Sequence, residues 1–291
     1  MVERALPVLR SVPWRLLLDL AGLVIVGIYA MWWIDRPWNN DARGFYDAWD
    51  RGLYALPWLE RGAYVYAPPF AQVIWPLARL PFEAFWAAWV TLQVGALLLI
   101  AGPLLSAVIL LLPWPSIPDY PNAVAATIGN GNPQLIMTLG VVAAYRWPAA
   151  WALPLLMKVT PAVGLLWYVV RREWRNLAVA VGATLTISAL SFVVAADLWL
   201  DWFGLLSQAT GADARQVELI YLPLAVRMPL AMALVGWGAW TDRYWTVPLG
   251  VMLSLPAIAL GGYAVAVGAI PFLWRGMPGW MRRRPDTATD G

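Results

Sequence analysis

The chain has 291 residues, 61% of them hydrophobic and 13% charged, with a mean hydropathy of +0.62. An ordinary soluble domain is about 45–50% apolar and about 25% charged, so a water-soluble body is excluded and an integral membrane protein is expected. The apolar residues come in long runs and not in alternation, which argues for an all-α bundle over a β-barrel. At about 20 residues per span there is room for about nine to eleven spans and half-spans. There is no Cys and no His, which excludes disulfides, thiol nucleophiles, imidazole bases and Cys/His metal sites. The net charge of +3 is spread between the spans and forms no stripe, so nucleic acid is not an expected partner. The 21 Trp residues suit an interfacial aromatic belt, or a groove for a lipid or a sugar.

In chain order, Arg4, Arg10 and Arg15 precede an apolar run from Leu16 to Trp33. This predicts a retained signal-anchor helix with its N-terminus in the cytoplasm. Residues 34–66 form a mixed polar loop expected on the outer face. Within it, Phe45, Trp49, Leu53 and Leu56 share one helical face, and Asp47, Asp50 and Arg51 lie on others. That pattern predicts an amphipathic helix along the membrane surface, with Asn39, Asn40 and Asp41 as capping candidates. A short span at 67–80 is predicted to return inward to Arg79, and Pro81 to open a long helix going out, over 82–101. Prolines break 103–131 into a bent or re-entrant pair of half-helices. A span at 132–145 follows. The segment 147–170, split at Lys158-Val159-Thr160-Pro161, is one kinked span or two short helices meeting at the outer face. Spans at 176–195, 218–240, 244–258 and 260–274 complete a single polytopic domain over 1–274. A basic, cytoplasmic and partly disordered tail is expected over 275–291.

Four features carry chemistry. Asp41 is either a cap or a carboxylate held where a membrane-anchored substrate meets water. Tyr64-Val-Tyr-Ala-Pro-Pro starts a helix at Pro68, and Tyr64 and Tyr66 are candidates for touching substrate. Asn130, Asn132 and Gln134, in Gly-Asn-Gly-Asn-Pro-Gln, form a turn whose amides suit sugar hydroxyls. Lys158 and Arg227 are cations in apolar segments, where a charge is costly and points to function; either can hold a lipid phosphate or snorkel to the interface. Asp19, four residues after Arg15, reads as a helix-face ion pair.

The order of these motifs resembles glycosyltransferase family 87, over roughly residues 15–275. The resemblance rests on Asp41 followed by Phe45, Tyr46 and Ala48; on Tyr64, Tyr66 and Pro68; and on Pro76, Leu77, Leu80 and Pro81. Gly129-Asn130, the Lys158, Thr160 and Pro161 set, and the Arg171-Arg172-Glu173-Trp174-Arg175 turn complete it. It implies a GT-C-like helical bundle that moves a sugar, mannose by default, from a polyprenyl-phosphate donor to a lipid-linked or glycan acceptor on the outer face. Asp41 falls on the family's general base. Lys158, with Arg227 or Arg43, is then expected to hold the donor phosphate. Tyr46, Tyr64, Tyr66, Asn130, Asn132, Gln134 and Thr160 are expected to meet the sugar or the acceptor. No cofactor or metal is expected, and membrane lipid surrounds the whole. The chain is short for the family and lacks the His that some relatives carry near the site. The rival class is a transporter or assembly subunit, which would gather its charges at the membrane midplane with access from both sides.

Overall fold

The computed structural model describes residues 13–36, 40–57, 60, 62–113, 122–209, 222–256, 258 and 260–273. The predicted tail 275–291, the Asn39 cap and residues 210–221, which include the start of the span expected at 218–240, lie outside these residues. The fold is an all-α bundle, with no strand among the described residues. Three helices are long and apolar enough to cross a membrane: α1 (Trp14–Asp35), α4 (Phe82–Leu111) and α9 (Trp174–Val194). The others are α2 (Asn40–Arg51), α3 (Pro68–Ala78), α5 (Ala123–Asn130), α6 (Gln134–Ala143), α7 (Pro148–Met157), α8 (Thr160–Val170), α10 (Ala196–Ala209), α11 (Leu224–Trp240), α12 (Thr246–Ser254) and α13 (Gly261–Leu273).

The two ends of the bundle differ in kind. At one end, Trp86 near the start of α4 donates its indole N–H to the Trp33 carbonyl at the end of α1, at 2.9 Å. Gly22, further back in α1, lies against Pro103 and Leu104. The helices are therefore antiparallel, and α4 begins where α1 ends. At the far end, Arg171 pairs with Glu173 and Asp242, both at 2.8 Å. There Tyr145, Tyr244 and Phe272 form an aromatic cluster.

This pairing corrects the layout expected for residues 67–101. The α3 helix has 11 residues, about 16 Å at 1.5 Å per residue, half of a hydrocarbon core of about 30 Å. It lies beside α2 along its length: Phe70 packs on Phe45, Trp75 on Trp49, and the Leu80 carbonyl accepts from the Tyr46 hydroxyl at 3.0 Å. Residues 67–80 are thus not a span. Arg79 belongs to the same end as the loop 34–66, and α4 runs away from that end, not toward it. The expected amphipathic helix is present as α2. Its apolar face, with Ala42, Phe45 and Ala48 buried, packs on protein, because α3 and α4 occupy the space beneath it.

In α4 the helix path breaks at Gly102, whose φ of +75° suits glycine, just ahead of Pro103. Asn122 then bridges two helix ends. It donates to the carbonyls of Ile109 and Leu112 and accepts from the amides of Val124 and Ala125 at the start of α5. The segment 147–170 is two short helices: Gly164 lies on Trp151, and the Tyr168 hydroxyl reaches the Ala144 carbonyl at 2.8 Å. Lys158 is the apex between them.

Candidate functional site

Asp41 sits in the first turn of α2. The residue beside it, Ala42, is fully buried and meets Gly131 so closely that a Cβ there would lie 2.5 Å from its own. Gly131 has a φ of +76°, a left-handed value that glycine adopts without strain. Its carbonyl accepts from the Trp89 indole at 2.7 Å. This contact brings the turn 129–134 under the start of α2. There the Asn132 amide donates from Nδ2 to Asp41 Oδ2 at 2.8 Å.

Lys158, at the α7–α8 apex, interacts electrostatically with Asp41. Its Nζ lies 5.9 Å from the Tyr66 ring centroid, within the range of a cation–π contact. Burial lifts the Asp41 carboxyl above the ordinary carboxylate range, while the Asn132 hydrogen bond and the Lys158 charge pull it back. The Tyr64 and Tyr66 hydroxyls are also pushed up by burial, Tyr66 further by the Asp41 charge. Both phenols stay neutral around neutral pH.

Asp41, Lys158, Tyr66 and Asn132 are thus brought together. Tyr64 packs edge-on to Phe45 and Tyr66, forming the wall behind them. Three acceptor oxygens in the adjoining segments are buried and take no partner among the described residues: Asn132 Oδ1, Gln134 Oε1 and Thr160 Oγ1. Buried polar atoms are rarely left unpaired, and these three suit hydroxyl donors. Asn130 closes α5 just ahead of the turn.

Other candidates are engaged elsewhere. Arg227 is fully buried and donates to the carbonyls of Leu222, Leu253, Leu255 and Pro256, tying the start of α11 to the end of α12. Arg43 lies 3.4 Å over the Phe82 ring and 4.0 Å from Asp47, on a half-exposed surface. Tyr46 fastens α2 to the α3–α4 joint through its bond to Leu80 and its contacts with Phe82 and Phe85. Of the other carboxylates near the start of α2 and the end of α1, Asp35 is exposed and Asp47 is paired with Arg43. Among the described residues no group of three Asp or Glu side chains comes close enough to hold a metal ion.

Sequence reasoning passed over Trp89 and Gln93. Trp89 holds the Gly131 carbonyl. Gln93, one helical turn further on, is fully buried with both amide atoms unpartnered; a Gln inside an apolar run was the available signal. A cavity of about 630 Å³ also adjoins the site. Phe70 and Trp89, which pack on Phe45, form its near wall, and Leu92, Leu139, Leu153 and Ile187 line it further out.

The fold and site define a helical membrane protein with a partly buried carboxylate and a cation recessed at one end, next to an apolar cavity. The sequence pattern of glycosyltransferase family 87 matches residues 64–288, and the chain belongs to that family. It is therefore a glycosyltransferase, taking a sugar from a donor to an acceptor. The match covers Tyr64, Tyr66, Asn132 and Lys158 and begins after Asp41. No curated protein and no solved structure matches the chain.

Proposed function

We propose that the protein transfers a sugar from a polyprenyl-phosphate donor to a hydroxyl of a lipid-linked or glycan acceptor, with inversion, in a multi-pass GT-C-like bundle whose site faces outside. Both termini are then cytoplasmic. One observation carries the reading: a carboxylate and an ammonium lie within electrostatic reach of one another, and an apolar cavity begins behind the Phe70 and Trp89 rings that back Phe45. A lipid-phosphate donor needs those three features together.

In this mechanism Asp41 takes the proton of the acceptor hydroxyl as the acceptor oxygen bonds to the anomeric carbon. The bond from that carbon to the phosphate oxygen breaks, and the electron pair leaves with polyprenyl phosphate. Lys158 stabilises the charge that grows on that oxygen. The phosphate is a good leaving group and needs no proton. The first isoprene units lie in the apolar cavity beyond Phe70 and Trp89. Asn132 Oδ1, Gln134 Oε1 and Thr160 Oγ1 accept from sugar hydroxyls, with Tyr66 flanking the ring. Mannose is the favoured sugar. Arg227 has no part in phosphate binding here, because its guanidinium already serves four carbonyls.

The test is transfer by purified protein from a panel of radiolabelled polyprenyl-phosphate sugars. Transfer from at least one, abolished by Asp41→Asn, is the expected result. Transfer from nucleotide sugars alone contradicts the donor class. The rival reading, a transporter, would require charges open to both ends, whereas Asp41 and Lys158 lie together near one.

A further inference from the structure

The bond from Asn132 to Asp41 joins residues 91 apart in the chain, and the fold holds it from several directions. The Asn132 backbone N–H bonds to the Thr127 carbonyl at 2.9 Å, closing the turn. On its far side the amide meets Gly261 of α13. A Cβ at Gly261 would lie 3.1 Å from Asn132 Cγ and 3.3 Å from Oδ1 and Nδ2. That is tighter than ordinary contact, so only glycine leaves the amide where it is. Only Nδ2 can donate to a carboxylate, so the orientation of the amide follows from its partner. Asp41 Oδ2 is thereby occupied.

We infer that Asn132 is the positioning residue for Asp41, its amide fixing the orientation of the carboxylate, and that Gly261 is the backstop that fixes the amide. The inference rests on Asp41 being the base. Asn132 was expected to bind sugar; here its donor end serves the base and only its oxygen remains for substrate. The physical need is plain. Burial disfavours the charged carboxylate, and a hydrogen bond donated to the charged form restores it. The other groups facing Asp41 are Lys158, which also favours the charge, and the neutral Tyr66 phenol. Lys158 is required by the donor phosphate during turnover, whereas Asn132 stays committed to Asp41 throughout.

The experiment is infrared difference spectroscopy of the full chain in detergent, titrated from acid to alkaline pH. The Asp41 carboxyl band is identified by its loss in Asp41→Asn. In Asn132→Leu the midpoint for deprotonation is expected to rise by about one pH unit, the equivalent of one hydrogen bond to a charged group. Gly261→Ala leaves the Asp41 and Asn132 side chains chemically intact and only crowds the amide. It should move the midpoint the same way by less, and it keeps the test open if Asn132→Leu fails to fold. An unmoved midpoint in folded Asn132→Leu, or in Gly261→Ala where that is the only folded variant, overturns the inference. The readout needs no turnover, so its failure is distinct from failure of the base assignment, which Asp41→Asn transfer assays decide.

Discussion

Trp86 donates its indole N–H to the Trp33 carbonyl, and this one bond sets which ends of the two longest apolar helices lie together. It moves Arg79 and Glu83 to the end that holds Asp41. Among the described residues that end also carries Asp35, Asp47, Asp50, Asp197 and Asp201, while the far end carries Arg146, Arg171, Arg172, Arg175 and Arg243. The basic end suits the cytoplasm. Because the chain has no Cys, single introduced cysteines report sidedness cleanly. Cys at positions 50 and 79 should both react with an impermeant maleimide on intact cells, and Cys at 172 only after the cells are opened. Opposite sidedness for positions 50 and 79 would contradict the arrangement of α2, α3 and α4.

Removing the Lys158 ammonium should weaken donor binding. A charged hydrogen bond is worth about 1.5–3 kcal/mol, so Lys158→Met should raise the dissociation constant for polyprenyl phosphate by roughly 10–100-fold, measured by titration calorimetry in detergent. Unchanged affinity in the folded variant would place the phosphate elsewhere.

Arg227 predicts the opposite pattern. Arg227→Leu leaves four carbonyls without their donor, at about 1–3 kcal/mol for each one that stays buried and unpaired. The melting temperature should fall by many degrees, while any folded fraction binds donor normally. Arg43→Ala should barely change it, since exposed ion pairs contribute about 0–1 kcal/mol. A thermally neutral Arg227→Leu would remove the tie between α11 and α12.

Asp41 also makes stability depend on pH. Its carboxyl is raised in the folded state, so the native protein binds that proton more tightly than the unfolded chain does. The stability this contributes is full below the unfolded value and is lost as pH rises through the folded one. At neutral pH the buried charge is a burden. Asp41→Asn should therefore melt at or above the wild type at pH 7, and the advantage should vanish in acid. A lower melting temperature at pH 7 would mean that the pairing with Asn132 and Lys158 outweighs burial.

Much of this was legible in the sequence because it is local. The Phe45 and Trp49 spacing predicts α2, although Leu53 and Leu56, expected on the same face, lie beyond its end at Arg51, where Gly52 turns the chain with a φ of +93°; the Lys158-Val159-Thr160-Pro161 break predicts the apex between α7 and α8. Resemblance singled out Asp41. What was not legible is tertiary. An apolar run ending at Arg79 reads as a short span, and only its packing along α2 shows that it lies at one end. Nothing local in Asn132 points to a carboxylate 91 residues away, since that contact exists only because Gly131 lets Ala42 approach. Arg227 looks like a stray cation until its carbonyl partners, most of them from the end of α12, are seen.

Asp41 is the proposed base on which the mechanism turns. Asp47 and Asp35 are the alternatives, and both lie outside the group formed by Lys158, Tyr66 and Asn132. Asp41→Asn keeps the size of the side chain and cannot take the hydroxyl proton. The decisive measurement is single-turnover transfer of radiolabelled sugar from the polyprenyl-phosphate donor by this variant, alongside its donor affinity. The expected rate is lower by roughly 10²–10⁴-fold, the usual contribution of a general base, with donor affinity nearly unchanged. Transfer at close to the wild-type rate by folded Asp41→Asn would contradict it.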